Sequence, residues 1–397
     1  MASIFNVQSL TCHNDDETTF ATAEGSYSGN DIRTVSVPTV TLAQDALEDT
    51  TTRQRLGVSY APIIGLKNQS KLGFSTWMRG TGTAAGNATA ALGKADLVEG
   101  QLLWNAFGGE SLGTGTTVTG VGSTTTSIDG VDTSGISVGQ AVMINGEVSV
   151  VATNSTNTIT LTRALSAAPS ADDVIYASAT YYPVEDITKT LQFQLKSGED
   201  DWYKLLGCQS VITFADLNTN QIPKINYDFS VASWSAETSA SLDLDSYTKS
   251  NNPPIPGYAS KLYVQDNGTT TINQVDTNSL TINPGLAIEA LMSVSGIQGM
   301  QGWRRQAIAP TVEMQVNTWS DDYRDDFEAQ TLKYIHYQIG STAGSTVFIE
   351  IPAAYVSAMP QHVGVNSQHG VGVNFMAVES GSTFTDLARA AIKVHLL

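Results

Sequence analysis

The stretch QIPKINYDFSVASW, residues 221–234, decides how the rest of the chain is read. From Ile225 the apolar side chains take every second position (Ile225, Tyr227, Phe229, Val231), while Asn226, Asp228 and Ser230 fill the other phase. A period of two marks a strand with one packed face and one wet face. The residues just before it, SVITFADLNTN (210–220), read as a second strand running into an Asn-rich turn. Together they predict a long hairpin.

The same grammar extends in both directions. In KLGFSTWMRG (71–80), Leu72, Phe74 and Thr76 share a phase, and KADLVEGQLLWNAFGG (94–109) follows after a Gly/Thr/Ala loop. There Leu97, Leu103, Trp104 and Phe107 have the spacing of an amphipathic helix, with Gly108 or Gly109 as its stop. TLQFQLKSGEDDWYKLLGC (190–208) puts Leu191, Phe193 and Leu195 on one strand face. Beyond the Pro-rich linker KSNNPPIPG (249–257) the pattern returns. TVEMQVNTW (311–319) alternates as a strand, and DDYRDDFEAQTLKYIHYQIG (321–340) reads as a helix with Tyr323, Phe327, Leu332 and Ile335 on its apolar face. Acidic residues stand at its positive end. Strands STVFIEIPAAYV (345–356) and GVGVNFMAV (370–378) come next. Strand, helix and strand pair therefore occur over about 70–234 and again over about 258–380, the pattern of an internal duplication.

Residues 111–180 break this pattern with Thr, Ser, Gly and Val and short strands in SVGQAVMING (137–146) and NTITLTRAL (157–165). They read as a small all-β insertion. The expected organisation is an N-terminal arm over 1–50, a first unit over 51–257 carrying the insertion, and a second unit over 258–397. The fold class is mainly β with few helices.

The chain of 397 residues has a formal charge of −18, from 38 acidic against 20 basic residues. Only 15% of residues are charged, against a usual ~25%. That balance argues against a sequence-independent DNA binder, whose affinity rests on Lys and Arg. Two cysteines, Cys12 and Cys208, make neither a disulfide scaffold nor a zinc pattern. The N-terminal segment lacks the basic and apolar regions of a signal peptide, and no apolar run of about 18 residues predicts a membrane span.

Motifs with chemical meaning have plainer readings. GISVG (135–139) has nucleophile-elbow spacing around Ser137, but QAVMI continues as strand where a helix is required. GTGTAAG (80–86) lacks both the P-loop Lys and the acidic residue of a dinucleotide site. His362 and His369 lie near each other without the Cys or dense carboxylates of a metal centre. Carboxylates cluster at 15–17, 172–173, 199–201 and 321–326 as solvated turns and helix starts. Arg304 and Arg305, beside Trp303, are read as an inter-subunit contact to a neighbour's carboxylates. No catalytic residue, cofactor or metal is expected.

At KLGFSTWMRG with its loop and the helix ending WNAFGG, at the Leu206-Gly207-Cys208 turn with the strand from Pro223 to Phe229, and at 311–376, the chain resembles the tail tube proteins of long-tailed, non-contractile bacteriophages. The resemblance covers about two thirds of the chain and rests on the order of its patterns. It implies two tail-tube-like β-sandwich or barrel domains, with neighbouring sheets joined around a lumen and the helices packed outside. Three chains would supply six units per ring, and closure would dispose of sheet edges. Stacked rings would guide the genome through an acidic bore, in a virion tail assembled in the host cytoplasm. Partners implied are the chain itself, a tape measure protein, tail terminator and distal tail or baseplate proteins, and DNA in transit without specific binding. The lumen or assembly surface is expected on Asn226, Asp228 and Ser230, or on Gln192, Gln194 and Lys196 of a partner strand. Two other readings are carried: another virion component of the same fold, for tail completion, hub or head decoration, and a carbohydrate-binding protein using Trp202, Trp234 and Trp303.

Overall fold

A computed structural model describes residues 3–4, 7–13, 16–22, 29–44, 46–47, 63–64, 70–86, 89–187, 189–197, 201–237, 248–249, 252–270, 273–297, 299–306, 308–317, 322–365, 368–379 and 387–397. Much of the expected N-terminal arm lies outside these residues. The first half contributes β1 (Val7–His13), β2 (Thr39–Leu42), β3 (Ser70–Trp77), α1 (Val98–Phe107) and β4 (Gly108–Leu112). After the insertion come β5 (Ala179–Pro183), β6 (Leu191–Ser197), β7 (Asp201–Ala215) and β8 (Lys224–Val231). The second half adds β9 (Ser260–Asp266), β10 (Thr277–Asn283), β11 (Ile288–Ile297), β12 (Met300–Arg305) and β13 (Thr311–Val316). It ends with α2 (Asp322–Ala329), β14 (Lys333–Thr342), β15 (Ser345–Val356), β16 (Gln368–Ala377) and β17 (Lys393–Leu396).

The deciding stretch is strand β8, and its two phases separate as the alternation requires. Ile225, Tyr227, Phe229 and Val231 are buried, whereas Asp228 is exposed and Asn226 and Ser230 are half-buried. β8 pairs antiparallel with β7, Ile212 opposite Tyr227 and Val211 opposite Asp228, which is the expected hairpin. β3 flanks its other side, Phe74 opposite Tyr227. The packed phase is an aromatic cluster, with Phe74 stacked on Tyr227 at 5.3 Å and Phe193 edge-on to Phe229 at 4.7 Å.

The architecture is mostly β, with two α-helices among the described residues and two ten-stranded sheets that curl as half-barrels. Six strands of the first sheet run β2-β3-β8-β7-β6-β1, and six of the second run β10-β13-β16-β15-β14-β9. Every pairing in both series is antiparallel. Matched by chain order, the two series are the same, and each has its helix on leaving its second strand, β3 or β13. A seventh strand repeats the match: Ser233–Glu237 pairs with the first half of β7, as β17 does with the first half of β15. One apolar core runs continuously through both sheets and α1.

Residues 116–177 of the insertion form a separate six-stranded sheet with its own core, including Val118, Ile128, Val142, Ile159 and Ile175. The strands leading into and out of this lobe, β4 and β5, pair with each other, and β5 joins the second sheet through β17 rather than entering the first.

Two expectations about helices need correction. The stretch 321–340 is not one helix: α2 ends at Ala329, Gln330 adopts φ +54°, and β14 begins at Lys333. From Tyr334 the side chains alternate Tyr/His/Gln against Ile/Tyr/Ile, and this period of two prevails over the acidic helix start. Ile335 therefore belongs to a strand core, and Leu332 is exposed. The outside placement suits α2, which buries no described residue, but not α1, which buries all ten. Its polar residues are satisfied internally: Asn105 Oδ1 accepts from the Ser210 amide at 2.9 Å, and Gln101 donates to the His13 carbonyl at 2.5 Å. The helix stops where Gly108 takes φ +86°. Neither described helix is long and apolar enough to cross a membrane.

Candidate assembly surface

The wet phase of β8 belongs to a broad polar face. Register places Thr39, Gly73, Asp228 and Val211 in one row across β2, β3, β8 and β7, with Ser75, Asn226 and Thr213 in the next. Ser75 donates to Asn226 Oδ1 at 2.7 Å, and Lys71 stands 3.8 Å from the Asp228 carboxylate. Lys224, in the same phase, pairs with Asp216 at 2.7 Å. The carboxylates of this face are thus matched by lysines, so the acidic excess of the whole chain is not concentrated there. The second sheet offers the equivalent face, where Thr281, Glu313 and Asn374 form an exposed row across β10, β13 and β16.

Gln192, Gln194 and Lys196 lie on β6, which is not a neighbour of β8, because β7 runs between them. Their phase continues the wet face, yet Gln192 and Gln194 are buried and only Lys196 is partly exposed. Beside Gln192 in register is Leu206, covered by Ala21, Met300 and Trp303. A bulge at Gly207, with φ +64°, lets this covering segment dock: the Glu17 carboxylate accepts from the Gly207 amide at 2.8 Å, and Trp303 Nε1 donates to its carbonyl at 2.8 Å.

Trp303 is part of the β11–β12 hairpin, a separate two-stranded ribbon. Met300 and Trp303 on β12 pack against Ala21, Leu206 and Ala232 of the first unit, while Leu291, Met292 and Val294 on the paired strand β11 are exposed. The arginine pair divides: Arg304 is exposed opposite Glu289, and Arg305 is buried beside Gly108 at the end of α1. No nitrogen of the Arg305 guanidinium has a partner among the described residues, and burial pushes it down to about 10. Sequence reasoning missed this hairpin, although GIQGMQG (296–302) between two extended runs carries a turn signal.

Ser137 lies in an exposed turn ahead of the strand Ala141–Ile144. Gly80 and Gly82 bring the loop against the backbone of the second unit, Gly82 donating to the Gly344 carbonyl at 2.6 Å. Among the described residues no group of three or more His, Cys, Asp or Glu side chains is placed to hold a metal. Asp15, Glu199, Asp200 and Asp321 lie outside the described residues; Asp326 pairs with Lys333 at 2.6 Å. Of the tryptophans, Trp303 is buried, Trp234 donates to the Ala43 carbonyl at 3.2 Å, and Trp202 lies under Lys196.

One buried constellation has the connectivity of a nucleophile, base and acid. Thr180 Oγ1 is 2.8 Å from His395 Nδ1, and His395 Nε2 is 3.2 Å from Glu350. Lys393 stands 2.9 Å from the same carboxylate, and the Tyr334 hydroxyl donates to its other oxygen. Thr180 and His395 are wholly buried, and the 240 Å³ cleft that touches Glu350 and Lys393 includes neither. Burial alone would push Glu350 up; Lys393 and the His395 hydrogen bond outweigh it and hold the carboxyl below its usual range. The group ties β15, β17 and β5 together. No protein-family model and no curated protein sequence matches the chain.

Proposed function

We propose that the chain is a non-enzymatic structural subunit of the tail tube of a long-tailed, non-contractile bacteriophage. The observation that carries this reading is the pair of six-strand series with the same order, each with a helix in the same connection and a polar face open on three corresponding strands, β2, β3 and β8 or β10, β13 and β16. Two equivalent units in one chain suit a ring of three chains with six wall segments. The polar faces of Asn226, Asp228 and Ser230 and of Thr281, Glu313 and Asn374 would line the bore. Paired lysines on the first face leave little to condense on phosphate, and the net charge of −18 discourages adhesion of DNA further. Arg304 and the exposed side chains of the β11–β12 hairpin would meet neighbouring copies. In this reading the tape measure protein occupies the lumen during assembly in the host cytoplasm, and terminator and distal tail proteins cap the ends of the virion tail.

Negative-stain imaging of the purified chain at increasing concentration tests the proposal. Threefold rings or hollow polymers are expected. Monomers persisting at high concentration, or binding to capsids without polymerisation, would instead favour a different virion role.

A further inference from the structure

The insertion lobe folds around its own core but covers an unusual surface. On the face of the second sheet beneath it, one row runs Tyr263, His336, Glu350 and Lys393 across β9, β14, β15 and β17. The adjoining rows hold Gln265 and Tyr334, then Gln338, Phe348 and His395. Such residues suit an open sheet face, yet His336, Glu350, Lys393 and His395 are each at most 1% exposed. The apolar contact joining lobe to sheet is small: Ala141, Met143, Val148 and Val150 against Phe348 and Leu397. The other links include the Arg163 guanidinium over the Tyr263 ring at 4.3 Å, the Val148 amide on Gln338 at 3.3 Å, Gln338 on the Gly146 carbonyl at 3.1 Å, Gln265 on the Thr162 carbonyl at 3.1 Å, and the Ala164 amide on the Thr270 carbonyl at 3.1 Å.

We propose that the lobe is a proton-operated flap, released as a folded unit from the second sheet when acidification charges the buried histidines beneath it. His336 is the principal trigger. Neither ring nitrogen has a hydrogen-bond partner among the described residues, so a charge placed there has no acceptor. Around it stand Tyr263 from β9, Tyr334 on its own strand, Glu350 from β15, Lys393 and His395 from β17, and Arg163 from the lobe, with Glu147 near Arg163. Glu350 is already engaged by Lys393, His395 and Tyr334. Burial, then Arg163, His395 and Lys393, hold His336 well below its ordinary value, and burial also lowers His395 against the pull of Glu350. Each histidine binds protons more readily once uncovered, so docking is fully favourable above about pH 6.5 and weakens as pH falls below it. One histidine that stays uncharged while docked sets a ceiling of about a 30-fold change at pH 5.

Hydrogen exchange on the full chain at pH 7.5 and 5.0, corrected for intrinsic rates, tests this inference independently of tube assembly. At pH 5.0 protection of the Val148 and Ala164 amides should fall at least tenfold, while Ile128 and Ile159 in the lobe and Phe229 in the first sheet keep theirs. His336→Phe, or His336→Gln if the phenyl ring is not accommodated, should cut the response at least threefold, leaving the part that His395 supplies. Equal interface protection at both pH values, loss of the lobe core together with the interface, or an undiminished response in the folded variant would each overturn it.

Discussion

Phe229 and Asp228 are adjacent in the chain and opposite in energetic weight. Phe229 has no exposed surface and meets three aromatic rings, so Phe229→Ala should destabilise by about 3–5 kcal/mol in denaturant titration. Asp228 makes an exposed pair with Lys71, and Asp228→Ala should change stability by less than about 1 kcal/mol. Arg305 makes a third kind of case. A buried guanidinium with no acceptor among the described residues opposes folding, so Arg305→Met should raise stability by about 1 kcal/mol or more in the same titration. A loss would mean that the cation has a stabilising acceptor. The alternation in 224–231 was legible from the sequence because a strand's two faces follow from adjacent residues alone. The burial of Gln192 and Gln194 was not, because strand alternation alone does not say which part of a polar phase other segments cover, as Ala21 and Trp303 cover Leu206 on the neighbouring strand.

Among the elements, β15 and β17 are held together by a charge pair in the interior. Glu350→Leu strands Lys393 and should cost about 3–5 kcal/mol, whereas Glu350→Leu with Lys393→Met should recover most of that loss. Denaturation of the single and double variants checks this; an equal loss in both would mean that the pair is not the seat of the effect. The depressed carboxyl of Glu350 makes its contribution present above the unfolded carboxylate range and lost as pH falls through its lower folded value. None of this cluster was visible in sequence, because Tyr334, Glu350, Lys393 and Thr180 meet only through long-range pairing. The two helices show the same limit. Their starts could be read from local pattern, but the full burial of α1 and the exposure of α2 are decided by what the surrounding sheets leave open.

For the whole molecule, the repeated strand order explains why the sequence repeats its grammar without repeating its residues. Each unit needs only alternating strands, a helix in one connection and turns of suitable length, conditions that many residues satisfy. The insertion was separable by composition, whereas its docking on the second sheet and the shared core of both sheets had no local signature. In the tube reading, Asp228→Lys should slow genome ejection in a single-particle release assay by adding an unpaired cation beside Lys71; unchanged kinetics would remove the electrostatic part of the proposal. The central claim is that the two sheets are equivalent wall segments of one ring. A cryo-EM map of assembled chains tests it most directly. It should show three chains per ring with pseudo-sixfold walls, and Asn226, Asp228 and Ser230 facing the bore. A ring using only one sheet of each chain, or a bore lined by other surfaces, would contradict it.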